Sequence, residues 1–299
     1  MHRRSFLGLV SAVTLGLAGC SSGSDGTDDP GSGGDGTDTH EASTRASTHT
    51  STRGTATPTG TDRAYSLGVS VESLRPGLVT PDSPDSIGVT HAAGQYLTLL
   101  LDPGGEGPPP EDIALAFDGA DHGPLALEET FRDTPWGRDA DAQYDGDGAG
   151  WLVFALPDAG DATSARLHWP GGEWHPDGRL RERLGTPTPR FDVSVDAPDA
   201  IAPGEQPWFS VTAANRGDVP GGFVGALDRV GPRVAYTPVE QVSFVVPAGD
   251  REKWRWEPTD LRTGADPESR TDSIRLPFDW HAGDASPTVA IAAETATDS

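Results

Sequence analysis

Cysteine occurs once in this 299-residue chain, at Cys20, and lysine once, at Lys253. A single thiol excludes any intramolecular disulfide. Basic residues number 22 against 46 acidic ones, for a net charge of -24. The chain therefore lacks the cationic surface that neutralises nucleic-acid phosphates, which argues against DNA or RNA as partners. No apolar run is long enough to span a bilayer comfortably. Hydrolase and nucleotide motifs are missing too: there is no Gly-x-Ser-x-Gly elbow, phosphate loop, dinucleotide fingerprint or His-Glu-x-x-His. The many aspartates could include a glycosidase pair, but sequence does not give their separation in space. The expectation is a non-enzyme without a cofactor.

What is abundant is acid, with 32 Asp and 14 Glu. Such a charge fits either a disordered chain or a folded one adapted to molar salt. There the Debye length falls to about 3 Å and carboxylate repulsion is largely screened. Short Asp side chains hold water while exposing little hydrocarbon, whereas the long apolar stem of Lys is avoided. Eight tryptophans and alternating apolar stretches beyond residue 63 favour the folded, salt-adapted reading. The acidic surface is then a solvation device.

Arg3 and Arg4 precede Phe6-Leu7 and an apolar run from Gly8 to Ala18, the layout of an export signal. The paired arginines before Ser-Phe-Leu resemble the twin-arginine signal, whose substrates cross the membrane folded; general secretion is the alternative route. Leu17-Ala18-Gly19-Cys20 resembles the lipobox of bacterial and archaeal lipoproteins. That resemblance implies a two-chain lipid on the Cys20 thiol, cleavage that makes Cys20 the new N-terminus, and stable anchoring in the membrane. Together with the acidity, it points to a haloarchaeal lipoprotein on the extracellular face of the cell membrane.

Residues 21–62 are mostly Gly, Ser, Thr, Asp and Pro, with no aromatic or large aliphatic side chain. They can bury no core and read as a disordered tether, with an r.m.s. reach on the order of 35 Å. The Ser and Thr between Thr37 and Thr61 could carry O-glycans or serve as a bare spacer. Asn215 is the only asparagine and lies in no glycosylation sequon. His40 and His49 in the tether read as inert.

From residue 63 onward, short alternating runs are separated by Gly, Pro and Asp. Tyr65–Leu74, Gln95–Leu101, Ile113–Phe117, Trp151–Leu156 and Ala165–Trp169 read as strands. The 38 glycines and 27 prolines suit turns and oppose helices, and no window predicts a helix of ten residues. Thr-Pro-Thr-Pro ending at Pro189 marks a connector. The predicted architecture is all-β: two immunoglobulin-like antiparallel β-sandwich domains, at 63–187 and 188–299, after a signal peptide at 1–20 and the tether at 21–62. Phe191–Val195, Ile201-Ala-Pro-Gly-Glu205, Trp208–Asn215, Arg216-Gly-Asp218, Val245-Val-Pro-Ala-Gly249 and Trp254-Arg-Trp256 resemble a CARDB-type domain, an immunoglobulin-like adhesion module. In this pattern Pro-Gly makes a turn, Gly217 can take positive φ, and the Asn215 side chain can satisfy turn amides. The segment from Thr259 to Ser273 departs from it. Tyr96-Leu-Thr-Leu, Phe117-Asp-Gly119 and Val153-Phe-Ala-Leu-Pro157 resemble small immunoglobulin-like domains of cell-surface lipoproteins.

Few clusters suggest chemistry. Asp141, Gln143, Asp145 and Asp147, with Gly146 at the sixth position, echo a calcium loop, but Leu152 stands where a bidentate Glu belongs. A solvated acidic loop is the plainer reading. His168, Glu173 and His175 could meet across a hairpin as a metal site, although a third imidazole or a thiol is lacking. Arg216-Gly-Asp218 reads as a turn. The tryptophans read as core filling, with Trp254 and Trp256 on one strand face, in preference to a sugar-stacking groove. The functional expectation is a lipid-anchored, non-catalytic module for binding, adhesion or scaffolding, whose partner is an envelope protein or a surface glycan. The alternative is an accessory solute- or metal-binding lipoprotein serving a transporter or envelope enzyme.

Overall fold

The computed structural model describes residues 64–91, 94–126, 135–139, 142–231, 234–258 and 273–292. All of these fall in one compact unit, residues 48–299. Arg3, Arg4, Cys20, the tether, Asp141 and most of the segment that departs from the CARDB-type pattern lie outside the described residues.

The fold is all-β, as two sandwiches in succession. The first contains β1 (Gly68–Arg75), β2 (Leu78–Ser83), β3 (Ser86–Thr90), β4 (Gln95–Asp102), β5 (Ala114–Phe117), β6 (Ala120–His122), β7 (Gly150–Leu156), β8 (Arg166–Trp169) and β9 (Gly172–Trp174). Sheet β1-β4-β7 faces sheet β6-β5-β8-β9. Period-two alternation sends Leu97, Leu99 and Leu101 of β4 inward against Leu115, Phe117, Phe154 and Leu167,. The Asp118-Gly119 pair that joins β5 to β6 carries φ of 50° and 76°. Positive φ at both central residues is the hairpin turn whose twist matches the flanking strands.

A short helix, α1 (Gly178–Leu184), closes this sandwich. The Asp177 carboxylate accepts the Leu180 amide proton at 2.7 Å and caps its first turn,. Leu180 and Leu184 enter the core, and Arg183 donates to the Leu74 carbonyl oxygen at 2.9 Å. At seven residues the helix is too short to leave a readable period in the sequence.

The second sandwich contains β10 (Phe191–Asp196), β11 (Ala200–Ile201), β12 (Phe209–Asn215), β13 (Gly221–Arg229), β14 (Thr237–Val246), β15 (Arg251–Trp256), β16 (Ser273–Arg275), β17 (Phe278–Trp280), β18 (Gly283–Ala285) and β19 (Thr288–Ile291). One sheet runs β10-β12-β15. Opposite it, β14-β13-β17-β18 and β11-β19-β16 are joined by reciprocal Val230–Arg275 backbone bonds. The pairings are antiparallel except β11 with β19, a two-residue parallel contact. Phe209, Phe223, Phe278, Val211 and Val242 form the core.

Trp254 and Trp256 both pack against this second core. Between them Arg255 turns outward, its guanidinium 4.3 Å from the Trp208 ring centroid. Trp169 and Trp174 lie in the first core. Tryptophan therefore serves mainly as core filling.

The Ala202–Glu205 turn closes with a 3.0 Å backbone bond across Pro203-Gly204. Asn215 is buried and does the work its position suggested. Its Oδ1 accepts from the Gly217 amide at 2.8 Å, and its Nδ2 donates to the Val219 and Val246 carbonyl oxygens at 2.8 and 3.1 Å. Gly217, however, does not adopt positive φ. It is small for another reason, since a Cβ there would sit 2.7 Å from Pro189 Cβ. The neighbouring Arg216 is paired with Asp192, so this turn is held by local bonds.

The two principal cores divide the chain between Leu184 and Phe191, but one hairpin crosses that division. β2–β3 belongs in sequence to the first sandwich, yet Val79 and Ile87 pack with Val224 and Ala226 of β13. Asn215→Ala should cost about 1–3 kcal/mol by stranding buried turn groups. Denaturant titration at constant molar salt measures it, with the exposed Asp218→Ala as a near-neutral control.

Candidate functional site

In most two-sheet sandwiches the outward-facing positions of a strand are polar. In β4, Tyr96 and Thr98 point away from the core yet are nearly as buried as their inward neighbours. Tyr96 clusters there with Trp151 and Val153 of β7, against Leu78 and Leu125. The outer face of β1-β4-β7 is therefore covered, and a pocket of about 300 Å³ lies over it.

Two local features shape this pocket. In β1 the register slips between Val71 and Ser73, leaving Glu72 as an extra, unpaired residue. The bulge puts Glu72 and Ser73 on the same face, alongside Arg75,. The second feature is the turn Pro135-Trp136-Gly137-Arg138. It closes with an Arg138 amide to Pro135 carbonyl bond of 3.1 Å and needs Gly137 at φ 79°,. The Trp136 amide donates to the Val79 carbonyl oxygen at 2.8 Å, which pins the turn to β2.

Arg138 forms an ion pair with Glu72, and its guanidinium lies 5.3 Å from the Trp151 ring centroid,. Tyr96, Thr98 and Trp136 complete the wall, and Gln241 of β14 reaches in from the second sandwich. Glu72 is the only acid among the described lining residues. In a chain of net charge -24, the described lining carries two arginines against one glutamate. Burial lowers the pKa of Arg75 from its ordinary value; Glu72 opposes that shift and Arg138 adds to it. Sequence alone marks none of these residues as a site, apart from the tryptophans weighed as a sugar-stacking groove. The one local signal was Pro-Trp-Gly-Arg, a turn tetrapeptide carrying an aromatic and a cation.

The sequence candidates lie elsewhere. Gln143 bridges to Trp151, and Asp147 bridges to Glu106. Asp145 Oδ1 accepts the Asp147 amide proton at 2.9 Å, while buried Tyr144 donates to the Pro108 carbonyl oxygen at 2.9 Å. The 142–147 loop is thus fastened by one turn bond of its own and by contacts to Glu106, Pro108 and Trp151. His168 is opposite Glu173 in the β8–β9 hairpin, but its Nε2 lies 3.1 Å from Asp121. His175 instead pairs with Glu173 at 3.1 Å, with Arg166 beside the same carboxylate at 3.5 Å. Among the described residues no group of three or more His, Cys, Asp or Glu is placed to hold a metal ion.

A second polar feature lies at the seam between the sandwiches. Both oxygens of buried Asp228 on β13 accept from the Ile87 amide at 3.2 Å. Burial pushes its pKa up to about 7; the Ile87 bond opposes this, while Asp82, Asp279 and Asp85 add to it.

No family model and no curated protein matches the chain. Among solved structures, the β-glucosidase from Listeria innocua in complex with glucose aligns at 15 % identity with a TM-score of 0.28, over 36 % of this chain and 17 % of that one. Its gluconolactone complex gives 15 % and 0.28 over 42 % and 18 %. The chain spans less than a fifth of the length of those enzymes, and likeness at this level carries no argument about activity.

Asp228 generates a pH prediction. Its folded pKa lies above the unfolded value of about 3.9, so the native state holds the proton more tightly. The stability this confers is fully present below about pH 4 and is lost as pH rises through about 7,. The whole span is worth on the order of 4 kcal/mol at about 1.4 kcal/mol per pKa unit. Asp228→Asn should remove this loss, so the variant should gain stability relative to the parent between pH 4 and 8. Denaturant midpoints across that range, at constant salt, measure the difference.

Proposed function

We propose that this protein is a lipid-anchored, non-catalytic binding module on the outer face of a haloarchaeal cell membrane. A two-chain lipid on Cys20 holds it there after export directed by Arg3 and Arg4, and residues 21–62 set the sandwiches away from the headgroups,. The observation that carries the binding role is the pocket over β1-β4-β7, lined from both sandwiches. At about 300 Å³ it has the size of a small-ligand site. A polar recess supports capture of a small solute, for a transporter or envelope enzyme, over adhesion by a flat sandwich face. The second sandwich, with the Ala202–Glu205 turn and the Asn215 corner, supports the CARDB-like reading.

The acidic surface and single lysine support molar salt as the working solvent. Cell fractionation in a haloarchaeal host tests the address. The parent protein should remain with the membrane and yield to detergent. Cys20→Ser should appear in the medium or retain its uncleaved signal. Membrane retention of a cleaved Cys20→Ser chain would contradict lipid anchoring.

A further inference from the structure

We infer that the pocket over β1-β4-β7 binds a small hydroxylated carboxylate, up to the size of a sugar acid, with the Arg75 guanidinium as the anchor for its carboxyl group. The inference rests on the solute-binding reading above and adds the ligand's chemical class.

Arginine is suited to this task because its planar guanidinium presents paired N–H donors that match the two carboxylate oxygens. Burying such a cation is costly unless a counter-charge accompanies it. Arg75 is partly buried, and among the described residues its guanidinium forms no hydrogen bond or ion pair, feeling Glu72 only as a nearby charge. Among the described lining residues Glu72 is the only acid, and Arg138 already pairs with it. Arg138 in turn is placed by Glu72 and by the Trp151 ring. One cation in the pocket is therefore committed and the other is open to an incoming anion.

The rest of the lining limits what that anion can be. A volume of about 300 Å³ equals that of about ten liquid waters, which favours a single small molecule. Ser73, Thr98 and Gln241 supply hydroxyl and amide groups, and Tyr96 and Trp136 supply apolar surface. Alternating hydrogen-bonding groups and apolar rings fit a polyhydroxylated carbon skeleton better than a bare inorganic anion. The surrounding negative charge disfavours highly charged anions at a distance, so a single carboxylate is the better match.

The test is a ligand-observed NMR titration of the full chain in fixed molar potassium chloride, comparing D-glucuronate with D-glucuronamide. The two are nearly equal in size and hydroxylation, and they differ in charge. Glucuronate should bind at least tenfold more tightly than the amide. Arg75→Gln should abolish that preference, and Arg75→Lys should retain part of it. Gln241→Ala, on the other sandwich, should weaken glucuronate at least threefold, whereas Arg166→Gln on the outer hairpin should leave it unchanged. Equal binding of acid and amide would overturn the carboxylate assignment while leaving a solute-binding pocket in place. Absence of binding by both would overturn the assignment and remove its support from the solute-binding reading as well. Glucuronate preference that survives in a folded Arg75→Gln chain would show that Arg75 is not the anchor.

Discussion

The hairpin formed by β2 and β3 grips β13 of the second sandwich, and the rest of the arrangement follows from that contact. Its apolar part joins Val79 and Ile87 to Val224 and Ala226, and its polar part directs the Ile87 amide at the Asp228 carboxylate. A hydrogen bond to a buried carboxylate stabilises mainly because leaving either group unpaired would be expensive. The hairpin is covalently placed between β1 and β4 of the first sandwich, so its packing fixes one sandwich against the other. Trp136 packs against the same cluster while lining the pocket. The seam and the recess are thus parts of one construction.

The two places carry opposite charge. Burial, together with Asp82 and Asp85 across the seam and Asp279 on the adjacent strand β17, raises the proton affinity of Asp228, so the seam retains a carboxyl that binds its proton far more readily than a surface aspartate. Molar salt screens exposed carboxylates effectively, but it reaches a buried pair much less. Among its described residues the pocket sets Arg75 and Arg138 against Glu72.

Much of the framework could be read from residue patterns because it depends on local rules. Alternation in Gln95–Leu101 and Trp151–Leu156 marked β4 and β7, and Pro203-Gly204 and Asn215 marked turns that the structure closes with hydrogen bonds. Gly217 was misread: its smallness serves contact with Pro189, not left-handed backbone. Period-two reasoning reports which residues share a face, but it does not say that a sheet's second face is also covered. Tyr96 and Thr98 therefore gave no hint of a pocket. Glu72 joins that face only through a bulge, and Gln241 arrives from more than a hundred residues away. Such a site is set by tertiary packing, so composition and spacing directed attention to the acidic 141–147 loop instead.

The recess is lined by residues of both sandwiches, so its shape depends on the seam that holds them together. Differential scanning calorimetry of the full chain at molar salt tests that coupling most directly. The account predicts a single endotherm with equal calorimetric and van't Hoff enthalpies, because the hairpin makes each sandwich's stability depend on the other. Two separated endotherms, each with the enthalpy of about half the folded part, would show that the sandwiches unfold independently and would contradict it.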